Sequence, residues 1–125
     1  MSKLLILGSI AFDQIETPFG KSNSIMGGSA NYIALAAAQF EIPAAVVSIV
    51  GGDYPQEYLN LLTERRIDVS GIEIVQGGKT LFWSGKYHND MNQRDTLDTQ
   101  LNVINDFKPI VPEAFRDAEV LLLGN

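Results

Sequence analysis

The sequence predicts an α/β protein built around a parallel sheet, and three observations carry that reading. Apolar runs at Leu4-Leu5-Ile6-Leu7, Ala44 to Val50 (AAVVSIV) and Glu119 to Leu123 (EVLLL) suit strands covered on both faces. Helix-forming segments lie between the runs. The resulting order is strand, helix, strand, helix, a two-stranded interlude, a short helix and a strand, an alternation that belongs to parallel sheets.

Taken in order, Leu4 to Leu7 is ended by Gly8. Gln14 to Met26 is mixed, carries Pro18 and Gly20, and reads as irregular structure with one short strand. Gly27-Gly28-Ser29 opens an alanine-rich helix from Ala30 to Phe40, with Ser29 as the expected N-cap. Its small side chains allow close packing on a sheet. Ile42-Pro43 ends it. Ala44 to Val50 is closed by Gly51-Gly52-Asp53, and Pro55 suits the first turn of the next helix. Tyr58, Leu59, Leu61 and Leu62 give that helix an apolar stripe, which ends near Arg65-Arg66.

Gly71 to Val75 alternates in part, Gly77-Gly78 suits a turn, and Thr80 to His88 follows. Leu81, Trp83 and Tyr87 fall on one face of this strand; Phe82, Ser84, Lys86 and His88 fall on the other. A strand with large groups on both faces is expected between two surfaces. Asn89 to Asp98 (NDMNQRDTLD) is polar and reads as loop. Pro112 to Ala118 fits one or two helical turns, and Glu119 to Leu123 is expected as a third buried strand.

Bulk properties exclude several functions. The 125 residues are 46% hydrophobic and 19% charged, which is globular rather than disordered. A formal net charge of -6 supplies no positive field for nucleic acid or an anionic membrane. The absence of cysteine removes disulfides, thiolate metal sites and cysteine nucleophiles. No apolar stretch is long enough for a signal-peptide core or a bilayer span. A cytoplasmic protein is expected.

Two motifs are decoys. Gly20-Lys21-Ser22 and Gly78-Lys79-Thr80 match the end of a phosphate-binding loop, but the required upstream glycine is replaced by Ile15 and Glu73. His88, the single histidine, has Asp90 nearby, and one histidine without cysteine makes a poor metal site. No metal site is expected.

Asp13 lies just beyond the first strand, where open α/β sheets bind ligands. Its carboxylate suits two neighbouring hydroxyls of a polyol, or it is a solvated loop residue. Gly27 and Gly28 let a ligand approach the backbone closely, and Asn31 offers a donor and an acceptor. The same segment also reads as a glycine-rich turn entering a helix. Trp83 and Tyr87 suit stacking on a sugar ring or a base, or simple core packing.

Gly27-Gly28-Ser29-Ala30-Asn31-Tyr32-Ile33-Ala34, with Gly51-Gly52 after the next strand, resembles the amino-terminal signature of the ribokinase-like (PfkB-type) carbohydrate kinases. Gly8 followed by Asp13, and Arg66-Ile67-Asp68-Val69 after the second helix, resemble the same family. The resemblance covers nearly the whole chain. It implies a three-layer Rossmann-like parallel sheet, truncated, with a small β-sheet lid formed by segments about 14–26 and 71–88. Residues 1–125 would be the substrate-binding part of a kinase domain whose carboxyl-terminal ATP-binding part is absent.

The resemblance further implies ATP-dependent phosphorylation of a sugar hydroxyl, with Mg²⁺, by the full-length protein. Asp13 would hold substrate hydroxyls, Gly27 and Gly28 would present backbone, and Asn31 would complete the polar contact. Trp83 and Tyr87 would contact substrate or a second subunit, since the lid builds a homodimer in many members. The family's second signature, a glycine-rich turn ending in the catalytic aspartate, does not occur in these residues. No catalytic residue is therefore assigned, and the fragment is expected to bind neither ATP nor Mg²⁺ and to be inactive alone. A nucleoside as acceptor, and a non-catalytic binding or dimerisation module, are the alternatives.

Overall fold

A computed structural model of the protein describes residues 3–125. Nine strands and two helices follow in the order β1 (Leu4–Leu7), β2 (Ala11–Thr17), β3 (Gly20–Lys21), β4 (Ile25–Gly27), α1 (Ser29–Ala38), β5 (Ala44–Gly51), α2 (Gln56–Glu64), β6 (Ile67–Val75), β7 (Leu81–Tyr87), β8 (Arg94–Gln100) and β9 (Val120–Leu123). Single 3₁₀ turns lie at Asn102–Asp106 and Glu113–Phe115.

The central sheet is parallel throughout, in the order β6-β5-β1-β9. Every residue of β5 is buried, as its unbroken AAVVSIVG run requires of an interior strand. Alternate side chains feed two cores. Ile6, Val46 and Val50 pack beneath the helices with Leu59, Leu62 and Ile67. Leu5, Ala45 and Val47 meet Phe115 on the opposite face, with Phe107, Val111 and Ala118 alongside. The molecule thus has three layers: helices, sheet, and the 3₁₀ segment.

Helix α1 presents Ala30, Ala34 and Ala37 inward, so its axis sits close to the sheet. Its N-cap is Gly28, without a side-chain cap; Ser29, expected in that role, is the first helical residue. Helix α2 starts after Pro55 and buries Leu59 and Leu62.

The second sheet stands apart from the first, in the order β3-β2-β7-β8, with β4 also on β2. Strands β2 and β7 run parallel, while β3, β4 and β8 pair antiparallel with their neighbours. It stands where the lid is expected and is called the lid below, and its composition departs from expectation. Residues 14–26 hold most of β2 and all of β3, so the stretch expected to be mainly irregular is mainly strand. The expected segment 71–88 divides: Gly71 to Val75 completes β6 in the central sheet, and only β7 joins the lid. A register shift between Ala45 and Val47 interrupts the pairing of the nine-residue β6 with β5.

Two further expectations are corrected. Asn89 to Asp98 is not all loop, because β8 begins at Arg94 and pairs with β7. Strand β9 is not buried: it pairs with β1 alone among the described residues, and its four residues are 37–65% exposed. Among the described residues, no helix is long and apolar enough to cross a membrane.

Candidate functional site

The carboxyl end of β1 delivers the chain through Gly8-Ser9-Ile10 into the lid strand β2. A cleft of about 460 Å³ lies where lid and central sheet meet. Its floor carries Ser9, Asp13, Ser29 and Tyr32, and its wall carries Trp83, Tyr87 and Arg94. The parallel register sets Asp13 directly beside Trp83, and Ala11 beside Leu81, on the face that lines the cleft. The alternation read from the sequence, with Leu81, Trp83 and Tyr87 on one face, therefore marks the cleft wall.

Asp13 is partly buried. Burial alone pushes its carboxyl above its ordinary value of 3.8. The carboxyl group packs so closely on Gly27 that a β-carbon at that position would overlap its carbon and both oxygens. Gly28 has φ +92, and a β-carbon there would run into the Ser9 carbonyl. Both glycines are thus required by the path of the chain beneath the cleft.

Asn31 lies beneath the cleft rather than on its surface. It falls on the same inward face of α1 as Ala30 and Ala34 and is fully buried. Its Nδ2 donates to the Gly27 carbonyl (2.7 Å) and to the Tyr54 hydroxyl (3.1 Å). Its Oδ1 is buried and has no partner among the described residues. Asn31 bears on the cleft through the Gly27 carbonyl and does not line it.

Trp83 is fixed by two neighbours from β8. Its Nε1 donates to Thr96 Oγ1 (3.2 Å), and the Arg94 guanidinium lies 5.5 Å from its ring centroid, within cation–π range. Gly85 leaves room for the ring, which a β-carbon at that position would strike.

Several site residues escape a sequence reading. Tyr32 lines the cleft and donates its hydroxyl to the Met26 carbonyl (2.9 Å); burial, then the nearby Asp13 charge, raise its pKa. Ser9 Oγ donates to Asn125 Oδ1 (2.8 Å), and Asn125 N donates to Ser29 Oγ (3.2 Å). Ser9 could have been found as the hydroxyl just past a buried strand, where such sheets bind ligands. Arg94 gives no such signal, because its strand has no apolar pattern.

Among the described residues, no three His, Asp or Glu side chains gather as metal ligands. Gly20-Lys21 lies in an exposed hairpin, and Thr80 of the second decoy is committed to Asp53. His88 pairs with Asp95 (3.0 Å) rather than Asp90, at an exposed lid edge.

No protein-family model matches the chain. The cytidine kinase of Thermococcus kodakarensis is 30% identical over 121 residues, which are 96% of this chain and 42% of that protein. The nucleoside kinase of Methanocaldococcus jannaschii, an archaeal member of the ribokinase family, superposes with a TM-score of 0.78 at 19% identity, covering 98% of this chain and 44% of that one. Ribokinase from Cryptococcus neoformans, in complex with ADP, gives 0.76 at 16% identity over 98% and 42%. The nucleoside kinase of Burkholderia thailandensis, in complex with inosine, gives 0.69 at 21% identity over 81% and 37%. The chain spans less than half the length of each. In fold the chain matches part of the ribokinase-family kinases, and in sequence it is similar to part of a cytidine kinase.

Proposed function

We propose that these residues form the acceptor-binding half of a kinase, which in the whole protein transfers the γ-phosphate of ATP to a hydroxyl of a sugar or a sugar-bearing molecule. The observation that carries this reading is the Asp13 carboxylate, partly buried on the cleft floor beside the Trp83 wall. No positive charge or hydrogen bond offsets its desolvation. An under-solvated carboxylate accepts strongly from paired hydroxyls, which is how a vicinal diol presents itself. Ser9, Ser29 and the backbone at Gly28 add polar groups at the same floor.

The catalytic base and the ATP–Mg²⁺ site lie outside these residues in this reading, so the chain alone binds an acceptor without turning it over. A nucleoside acceptor is favoured over a free sugar by one feature. Trp83 lines the cleft with Arg94 over its ring and Tyr87 on the same wall, an aromatic group suited to stacking on a base. Of the four relatives named above, three are nucleoside or cytidine kinases and one is a ribokinase.

Trp83 is the single tryptophan and reports on its own cleft. Titration of the chain with cytidine, ribose and fructose, followed by Trp83 emission, tests the reading. Saturable binding that Asp13→Ala weakens by about a hundredfold supports it. Equal, unsaturable responses to all three would sink it. Turnover of ATP by this chain alone would overturn the division of labour.

A further inference from the structure

Asp53 and Tyr54 follow β5 and belong to neither sheet, yet between them they hold the lid at both of its roots. Asp53 Oδ1 accepts from Thr80 N (2.9 Å) and Thr80 Oγ1 (2.7 Å). Thr80 is the residue before β7. Its Oγ1 accepts from Gly51 N (3.0 Å), and its carbonyl accepts from Asn102 Nδ2 (2.9 Å). Every polar atom of Thr80 is thereby used, and the residue is 1% exposed. The start of β7 is tied to the end of β5.

Tyr54 holds the other root. It is 7% exposed, and its ring lies 5.5 Å from that of Phe12, the β2 residue next to Asp13. Its hydroxyl accepts from Asn31 Nδ2, whose second hydrogen goes to the Gly27 carbonyl at the end of β4. That carbonyl is an acceptor only, so the amide nitrogen of Asn31 must face it. Tyr54 therefore touches β2 by packing and β4 through Asn31.

Strands β2 and β7 are parallel neighbours in the lid, and they carry Asp13 and Trp83. Two adjacent residues of one loop thus fix both strands from the central sheet. We infer that Asp53 and Tyr54 are positioning residues that set where Asp13 and Trp83 stand over the end of β1. The pair touches no acceptor itself. The inference rests on the proposed function only for what the positioned groups bind.

Residue-resolved amide hydrogen exchange on the chain tests the pair, with Asp53→Ala, Asp53→Asn and Tyr54→Phe. Asp53→Ala is expected to speed exchange in β7 and β2 about tenfold while β1 and β5 keep their rates. Asp53→Asn keeps an acceptor oxygen and restores slow exchange. Tyr54→Phe keeps the ring on Phe12 but frees Asn31, and speeds exchange at β4. Acceleration shared equally by β1 and β5, or none in the lid, overturns the inference. A cytidine titration read by Trp83 emission runs in parallel. Weaker binding by Asp53→Ala, rescued by Asp53→Asn, extends the positioning to the ligand; unaltered binding overturns that extension. If the unmodified chain fails to bind cytidine, the nucleoside reading falls, and exchange alone still decides whether the pair anchors the lid.

Discussion

The Asp13 carboxyl group rests against the α-carbon of Gly27, in the space a β-carbon would occupy. The two residues sit on paired antiparallel strands, with Ala11 opposite Gly27 and Asp13 opposite Ile25. Gly27→Ala is expected to push the carboxyl group out of place at a cost of about 1–3 kcal/mol. Chemical denaturation measures that cost, and a cytidine titration measures the effect on the site. An alanine variant that folds and binds as the unmodified chain does would remove Asp13 from the floor of the cleft.

Asp13 also fixes the sign of a pH effect. Its pKa is raised above 3.8 by burial, so the folded state takes up a proton more readily than the unfolded one. The associated stability is fully present below 3.8 and is lost as pH rises through the folded value. At neutral pH the buried charge is therefore unfavourable. Asp13→Asn should be more stable than the unmodified chain at pH 7, by a margin that shrinks as pH falls through this window. Urea midpoints of both proteins across an acidic pH series check this; a margin independent of pH would contradict it.

The parts of the fold that the sequence reveals are those governed by burial. Strands β1 and β5 and helices α1 and α2 follow from apolar runs and small-residue faces. The lid is less legible because cross-strand pairing, not burial, sustains it. Strand β8 reads Arg-Asp-Thr-Leu-Asp-Thr-Gln, every residue of it is exposed, and only its ladder to β7 makes it a strand. Strand β9 misleads in the opposite way, since Val-Leu-Leu-Leu implies a burial that it does not have. Within the site, Asp13, Gly27 and Gly28 are legible from position, and Trp83 and Tyr87 from alternation. The burial of Asn31 is legible too, since its spacing from Ala34 and Ala38 places it on the inward stripe of its helix.

Tyr54 supplies a signature at the alkaline end. Burial pushes its pKa up to about 12; the Asn31 hydrogen bond lowers it, and Tyr58 and Tyr32 raise it. The folded value exceeds the ordinary 10.0, so the neutral phenol contributes stability below pH 10 that is lost as pH rises toward 12. Tyr54 should ionise late, together with unfolding. Phenolate absorbance and circular dichroism followed through the same titration check this. In Tyr54→Phe the late absorbance step should vanish.

The exposed strand β9 carries its own consequence. Val120, Leu121, Leu122 and Leu123 form an apolar edge with unpaired backbone groups on the side away from β1. Such an edge recruits further strands. The chain is expected to self-associate with rising concentration, and Leu121→Lys with Leu123→Lys should suppress this. Light scattering over a concentration series distinguishes the two proteins; identical curves would place the contact elsewhere.

The parallel pairing of β2 with β7 dictates when the lid can form. Parallel partners cannot be joined by a tight turn, and here the intervening chain is β3, β4, α1, β5, α2 and β6. Closing so long a loop is entropically unfavourable unless the enclosed segment is already compact. The central sheet must therefore assemble first and bring the two strands together. The cleft wall is thereby expected to form late in folding and to be lost first when folding is incomplete.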